Sequence, residues 1–215
     1  MSGVASKQRF RRGEWVFQQG DPAPVFYQAE TGLVRLMQST LRGRTLTVRH
    51  VLPGDYFGEA ALDPAPATHH HAAEALTPAT IRLLQPEQLT AATLLDISRN
   101  LSTQLRRAML HEVHLQSGDL RQRLVRYLLE LADTPLGAED AQDHLYVRTT
   151  HELLAEGSGS TRESVSKVVT ELRDLGLIET GYRHITLLHL EGLRALAGPA
   201  PLDRPDVAET FKELR

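Results

Sequence analysis

The chain of 215 residues contains no cysteine. That excludes disulfides, a thiol nucleophile, and any zinc or iron–sulfur site built on cysteine ligands; a reducing cytoplasm is the expected location. Aromatic residues supply only 5% of the chain. No apolar run approaches the roughly 18 residues of a membrane span, so no membrane partner is expected. The opening Met1-Ser-Gly-Val-Ala-Ser-Lys lacks the apolar core of a secretion signal. Neither charge sign dominates: 24 Lys and Arg face 27 Asp and Glu, a net charge of -3. Any attraction to nucleic acid must therefore come from a local patch. Catalytic signatures are missing too. There is no phosphate-binding Gly-Lys loop, no Gly-x-Ser-x-Gly elbow and no spaced carboxylate pair, so neither enzymatic activity nor a cofactor is expected. What remains, 41% hydrophobic and 24% charged residues, is ordinary for a globular protein and suits two compact domains or one large one.

Three textures follow one another. From Phe10 to about Leu84, short apolar or alternating stretches (Glu14–Phe17, Val25–Gln28, Leu33–Met37, Thr45–Val48 and Thr80–Leu84) are separated by Gly, Pro and Asp turns. Such spacing predicts a β-sandwich or small barrel. From about Pro86 the period lengthens: Leu94, Ile97, Leu101, Leu105, Ala108 and Leu115 form a narrow seam along one long helix. The seam fits packing against the chain's own β-domain, or against a second subunit, or both along different lengths. Asp119 then caps a helix over Leu120–Ala132, with Leu124, Leu128 and Leu131 on one face. A polar loop follows from Leu136. Two helices, Glu152–Glu156 and Arg162–Asp174, are divided by Gly157-Ser-Gly-Ser. A β-hairpin is expected around Thr180–Arg183, then a short Leu-rich turn over Glu191–Leu196 and a Pro-containing tail from Gly198.

Thr150–Glu179 carries the most information. Thr150 and Thr161 are placed to cap their helices, and the second helix would bury Val165, Val168, Val169 and Leu172. Arg162, Glu163, Ser164 and Lys167 are then left at its exposed leading end. A capped helix with forked and short polar groups there suits entry into a DNA major groove. Arginine can donate twice to guanine, and a carboxylate can accept from cytosine. A three-helix packing module with a solvated charged face fits the periodicity equally well. For DNA binding, Glu152, Glu156, Glu171 and Asp174 must face away from the phosphates.

The stretch Thr150-His-Glu-Leu-Leu-Ala-Glu-Gly-Ser-Gly-Ser-Thr-Arg-Glu-Ser-Val-Ser-Lys, followed by Leu172-Arg-Asp-Leu-Gly-Leu-Ile-Glu, resembles the winged helix-turn-helix of the CRP/FNR family of transcription regulators. Phe10-Arg-Arg-Gly-Glu-Trp-Val-Phe-Gln-Gln-Gly-Asp, Gly32-Leu-Val-Arg-Leu and Leu52-Pro-Gly-Asp-Tyr-Phe-Gly-Glu-Ala-Ala-Leu are similar to that family's cyclic-nucleotide-binding-like β-roll. The seam helix resembles its dimerisation helix. The resemblance implies an α+β chain: a double-stranded β-roll over residues 1–85, a dimerisation helix over 86–117, a winged helix-turn-helix over 118–197, and a tail over 198–215. It implies a homodimeric, sequence-specific regulator of transcription, an activator that contacts RNA polymerase and double-stranded DNA. Arg162 and Glu163 would read bases, and Lys167 a base or a phosphate. Ser160, Thr161, Ser164 and His151 would complete the DNA-binding set. Gly157-Ser158 departs from the pattern, since two apolar residues usually precede the turn glycine, here Gly159.

In members that bind cyclic AMP, a Gly-Glu pair holds the ribose and an Arg-Ser pair about ten residues on holds the phosphate. By that likeness Gly58 and Glu59 are candidate effector residues, but the Arg-Ser positions fall on His69 and His70. Neutral imidazole cannot replace arginine's permanent charge and two-pronged donation, so tight cyclic-AMP binding is not expected. Other uses of the histidines are open. His69 and His71 would share a face if they lay on a strand and, with Glu74, faintly resemble the metal set of cupin enzymes. His111 and His114 form a second helical pair. Otherwise these are solvated or pH-responsive histidines, or the chain answers to an effector that is not a nucleotide.

Overall fold

The computed structural model describes residues 6–39, 45–63 and 67–198. By contacts the chain divides into two compact units, Met1–Ala108 with Thr134–Leu136, and Met109–Asp133 with Gly137–Arg215. No described helix is long and apolar enough to cross a membrane.

The first unit is a β-roll of two four-stranded antiparallel sheets. One has the order β1 (Lys7–Phe10), β8 (Ala79–Leu84), β3 (Phe26–Thr31), β6 (Tyr56–Phe57). The other runs β2 (Trp15–Phe17), β7 (Ala72–Ala75), β4 (Val34–Ser39), β5 (Thr45–Val51). Their inner faces bury Phe17, Tyr27, Leu36, Val51, Phe57 and Ile81 in one core. All five stretches expected as strands are strands. Three more were not foreseen: β1, the two-residue β6, and β7, whose Ala-Ala-Glu-Ala has little β propensity.

Helix α1 spans Ala91–Gln116. Its inward face is largely polar. Arg107 Nη2 donates to both oxygens of buried Asp55 at 2.7 and 2.8 Å, and Asn100 Nδ2 donates to Asp55 Oδ1 at 3.0 Å. Gln104 Nε2 donates to the Tyr56 carbonyl at 2.8 Å, and the Tyr56 N–H to Asn100 Oδ1 at 2.9 Å. Ile97 is buried among them. Leu94, Leu95, Leu105, Met109 and Val113 form an exposed stripe beside that face, and Leu105 and Met109 are 62% and 60% exposed. The seam read from the sequence is one stripe that is unevenly covered: Ile97 is buried, Leu101, Ala108 and Leu115 are half-buried, and Leu94 and Leu105 at its edge are exposed.

In the second unit α2 (Leu120–Ala132) opens with a full capping box between Asp119 and Gln122 and buries Leu124, Leu128 and Leu131 as expected. The segment after Leu136, expected as a loop, is a hairpin of β9 (Gly137–Glu139) and β10 (Leu145–Val147). With β11 (Ile178–Gly181) and β12 (His184–Leu187) these strands form a third sheet in the order β11-β12-β10-β9. Helices α3 (His151–Ser158), α4 (Arg162–Asp174) and α5 (Leu190–Ala197) complete the unit. The tail beyond Gly198 lies outside the described residues.

Candidate nucleic-acid interface and sensor pocket

Both expected caps are present. Thr150 Oγ1 accepts from the Leu153 N–H at 3.2 Å, and Thr161 Oγ1 from the Ser164 N–H at 3.3 Å. Helix α4 buries Val165, Val168, Val169 and Leu172, which fixes its rotation and turns the opposite face outward. Between the helices Gly159 takes the left-handed conformation that closes α3. Ahead of it, Gly157 and Ser158 are both buried. A Cβ on residue 157 would fall 2.0 Å from Tyr127 Cζ, so the Tyr127 ring occupies the space an apolar side chain would take. Ser158 Oγ donates to the Leu154 carbonyl at 2.6 Å, and Arg123 Nε to the Ser158 carbonyl at 3.3 Å. The departure from the usual apolar pair is thus matched from α2.

A shallow open depression on this unit is lined by His151, Arg162, Glu163, Ser166, Lys167 and Thr170. Four residues singled out in the sequence, His151, Arg162, Glu163 and Lys167, are thereby brought together. Ser166 and Thr170 were missed, although their i+4 spacing from Arg162 was a readable signal. Arg162, Glu163 and Lys167 are exposed, and no ion pair engages them among the described residues. Ser160 and Ser164 are half-buried beside the cap, with the Thr161 hydroxyl donating to Ser164 Oγ at 3.1 Å. The carboxylates that would repel phosphate stand elsewhere: none of Glu152, Glu156, Glu171 and Asp174 lines the depression. Arg121 Nη1 holds Glu171 at 2.6 Å, and Arg173 pairs with Asp174 at 3.0 Å. The lining of the depression is consequently a cationic and hydrogen-bonding strip with one carboxylate, Glu163, near the start of α4. Such a strip can meet base edges and phosphates at once.

In the β-roll, Gly58, Glu59, His69, His70 and His71 do gather around one site, together with Phe17 and Leu36. The site is nearly full. Its free volume is about 10 Å³, room for roughly one water and far below the several hundred Å³ of a small-molecule pocket. The His69 ring stacks on Phe17 with centroids 3.5 Å apart and planes 10° apart. Glu59 is paired with Arg49 at 3.0 Å. Gly58, at φ +80°, could not carry a Cβ without meeting Tyr27 Cδ2 at 2.6 Å, which gives it a structural role independent of any ligand. Burial pushes the pKa of His69 down, against the pull of Asp21 and Glu59, and does the same to His71.

The cupin-like set does not assemble. His69, His70 and His71 lie in the bend ahead of β7, so strand alternation does not place them. Glu74, on β7, is held by Arg35 at 2.7 Å. Among the described residues no three His, Asp or Glu side chains are grouped to hold a metal ion. Of the second pair, His111 Nδ1 sits 3.3 Å from Glu130 Oε2 with its ring against Tyr127, and half-buried His114 has its pKa lowered by burial.

Comparison with known proteins agrees with this architecture. Residues 7–94 match the cyclic nucleotide-binding domain and residues 122–196 the Crp-like helix-turn-helix domain. Transcriptional regulator LdrP of Thermus thermophilus is 47% identical over 193 residues, covering 90% of this chain and 97% of its own. Transcriptional regulator SdrP of the same species is 37% identical over 199 residues, covering 92% and 96%. The crystal structure of a CRP-family transcriptional regulator from Thermus thermophilus superimposes with a TM-score of 0.86 at 47% identity, over 90% of this chain and 97% of that one. A β-roll of the cyclic-nucleotide-binding type, a long helix and a helix-turn-helix in this order make the chain a member of the CRP/FNR family of transcription regulators.

Proposed function

We propose that the protein is a homodimer that reads a two-fold symmetric DNA site with α4 and does so without cyclic AMP. The observation that carries this reading is the shared depression: His151, Arg162, Glu163 and Lys167 line one open surface at the leading part of a capped helix. Arg162 and Glu163 would choose bases. Lys167, His151 and the hydroxyls of Ser160, Thr161 and Ser164 would hold register on phosphates and the nearer base edges. Dimerisation is assigned to the uncovered stripe of α1, because five large apolar side chains along one helix face need a partner, and a second copy offers the same stripe. In this reading residues 1–85 form the sensor-like domain, 86–117 pair the subunits, 118–197 bind DNA, and 198–215 are a tail.

Independence from cyclic AMP is supported by the filled β-roll site. A nucleotide would have to displace the stacked His69 ring and separate Glu59 from Arg49, and no arginine stands where the phosphate anchor is expected. The same filling argues for activity without a non-nucleotide effector. Activation through RNA polymerase, in the cytoplasm, rests on the family resemblance. The test is binding of the purified protein to genomic duplex fragments across a salt series, with and without cyclic AMP. Selective binding that weakens steeply with salt and ignores the nucleotide is expected. Equal binding to all fragments, or selectivity that appears only with cyclic AMP, contradicts the proposal.

A further inference from the structure

Thr170 carries a feature that none of the other residues around the depression has. It lines the same surface as Arg162, Glu163 and Lys167, and it alone among the six contributes a methyl group. Its hydroxyl is already used: Thr170 Oγ1 donates to the Ser166 carbonyl at 2.9 Å, one turn back along α4. The residue is nevertheless exposed. With the hydroxyl hydrogen turned onto the helix backbone, the γ-methyl and the oxygen's lone pairs are left to meet a ligand. A hydroxyl so engaged makes a poor donor to a base, whereas a methyl loses nothing.

In the major groove only thymine presents a methyl, at C5, and apolar contact with it is how side chains recognise that group. Thr170 lies two turns beyond Arg162, about 12 Å along the helix axis, so it reaches a different base pair from the one Arg162 reads. We infer that Thr170 is a specificity residue that selects a thymine by methyl–methyl contact, complementing the hydrogen-bonded reading by Arg162 and Glu163. This rests on the reading of α4 as the groove-entering helix.

The experiment uses the full-length protein and a duplex that it selects from a random pool. Each thymine of the half-site is replaced in turn by deoxyuridine, which removes the methyl and leaves pairing unchanged. Wild-type protein should lose about four-fold in affinity for each buried methyl removed, at one thymine position per half-site. Thr170→Ser keeps the hydroxyl and loses the methyl, and should bind both duplexes alike. Thr170→Val keeps a methyl and should still discriminate. Both substitutions are at an exposed position, so the helix core is undisturbed. The inference is overturned if no thymine position matters, or if Thr170→Ser discriminates as well as wild type. Failure of the wild type to select any duplex would instead remove the underlying DNA-reading assignment, and this inference with it.

Discussion

The ring of Tyr127, on α2, fills the space that a side chain at Gly157, on α3, would need: an added Cβ would stand 2.0 Å from Cζ and 2.1 Å from Cε1. The contact binds the first helix of the reading motif to the helix before it. Gly157→Ala should destabilise the protein by about 1–3 kcal/mol, the usual cost of overpacking. In a Tyr127→Ala background the same change should cost far less, because the ring it strikes is gone. Denaturant unfolding of the four proteins measures the coupling, and additive costs would show that the two residues do not share the space.

Arg162→Ala should weaken binding to a selected site by about 1–3 kcal/mol and relax preference at a single base pair, whereas loss of a phosphate contact weakens all sequences alike. Competition binding on a panel of single-base variants separates the two. An equal loss on selected and random duplexes would mean that Arg162 holds phosphate and does not read a base.

The uncovered stripe of α1 gives a third expectation. Leu105→Glu combined with Met109→Glu places two charges at positions that are 62% and 60% exposed, so folding should be retained while dimerisation fails. Sedimentation should report a monomer, and affinity for a full two-half-site duplex should fall towards that for one half-site. A variant that stays dimeric would locate the subunit interface elsewhere.

His69, His71 and His114 all have their pKa lowered by burial. Their ordinary value is near 6.5, so above that pH both folded and unfolded chains hold them neutral. Below it the unfolded chain takes up protons first, and stability falls with pH until the lowered folded-state values are reached. Unfolding free energy should therefore be flat from pH 8 to about 7 for these groups and decline as the pH falls below about 6.5. His69→Phe, which can keep the stack on Phe17, should reduce that slope. An unchanged slope would show that His69 does not contribute to it.

Where local chemistry decides structure, the sequence was informative. The caps at Asp119, Thr150 and Thr161 and the buried face Val165, Val168, Val169 and Leu172 follow from residue type and spacing. Strand β7 was hidden because an alanine-rich segment gains its β structure from pairing with β2 and β4, a non-local effect. The β9–β10 hairpin was hidden because its turn is made by the Asp140 carboxylate accepting from the Gln142 and His144 N–H groups at 2.8 and 2.9 Å, inside what reads as a polar loop. Along α1, apolar periodicity could not show which part of the seam is covered, since the face against the β-roll is anchored by the polar side chains of Asn100, Gln104 and Arg107. At the interface, His151 and Lys167 were legible as members of a set, while the filling of Gly157 by Tyr127 needed a contact across 30 positions.

Selection of bound duplexes from a fully random pool, by the purified protein with no nucleotide added, tests the central claim most directly. The expected product is an inverted repeat whose half-site centres lie one helical turn, about 10 base pairs, apart. An unstructured pool, a solitary half-site, or enrichment that requires added cyclic AMP would contradict it.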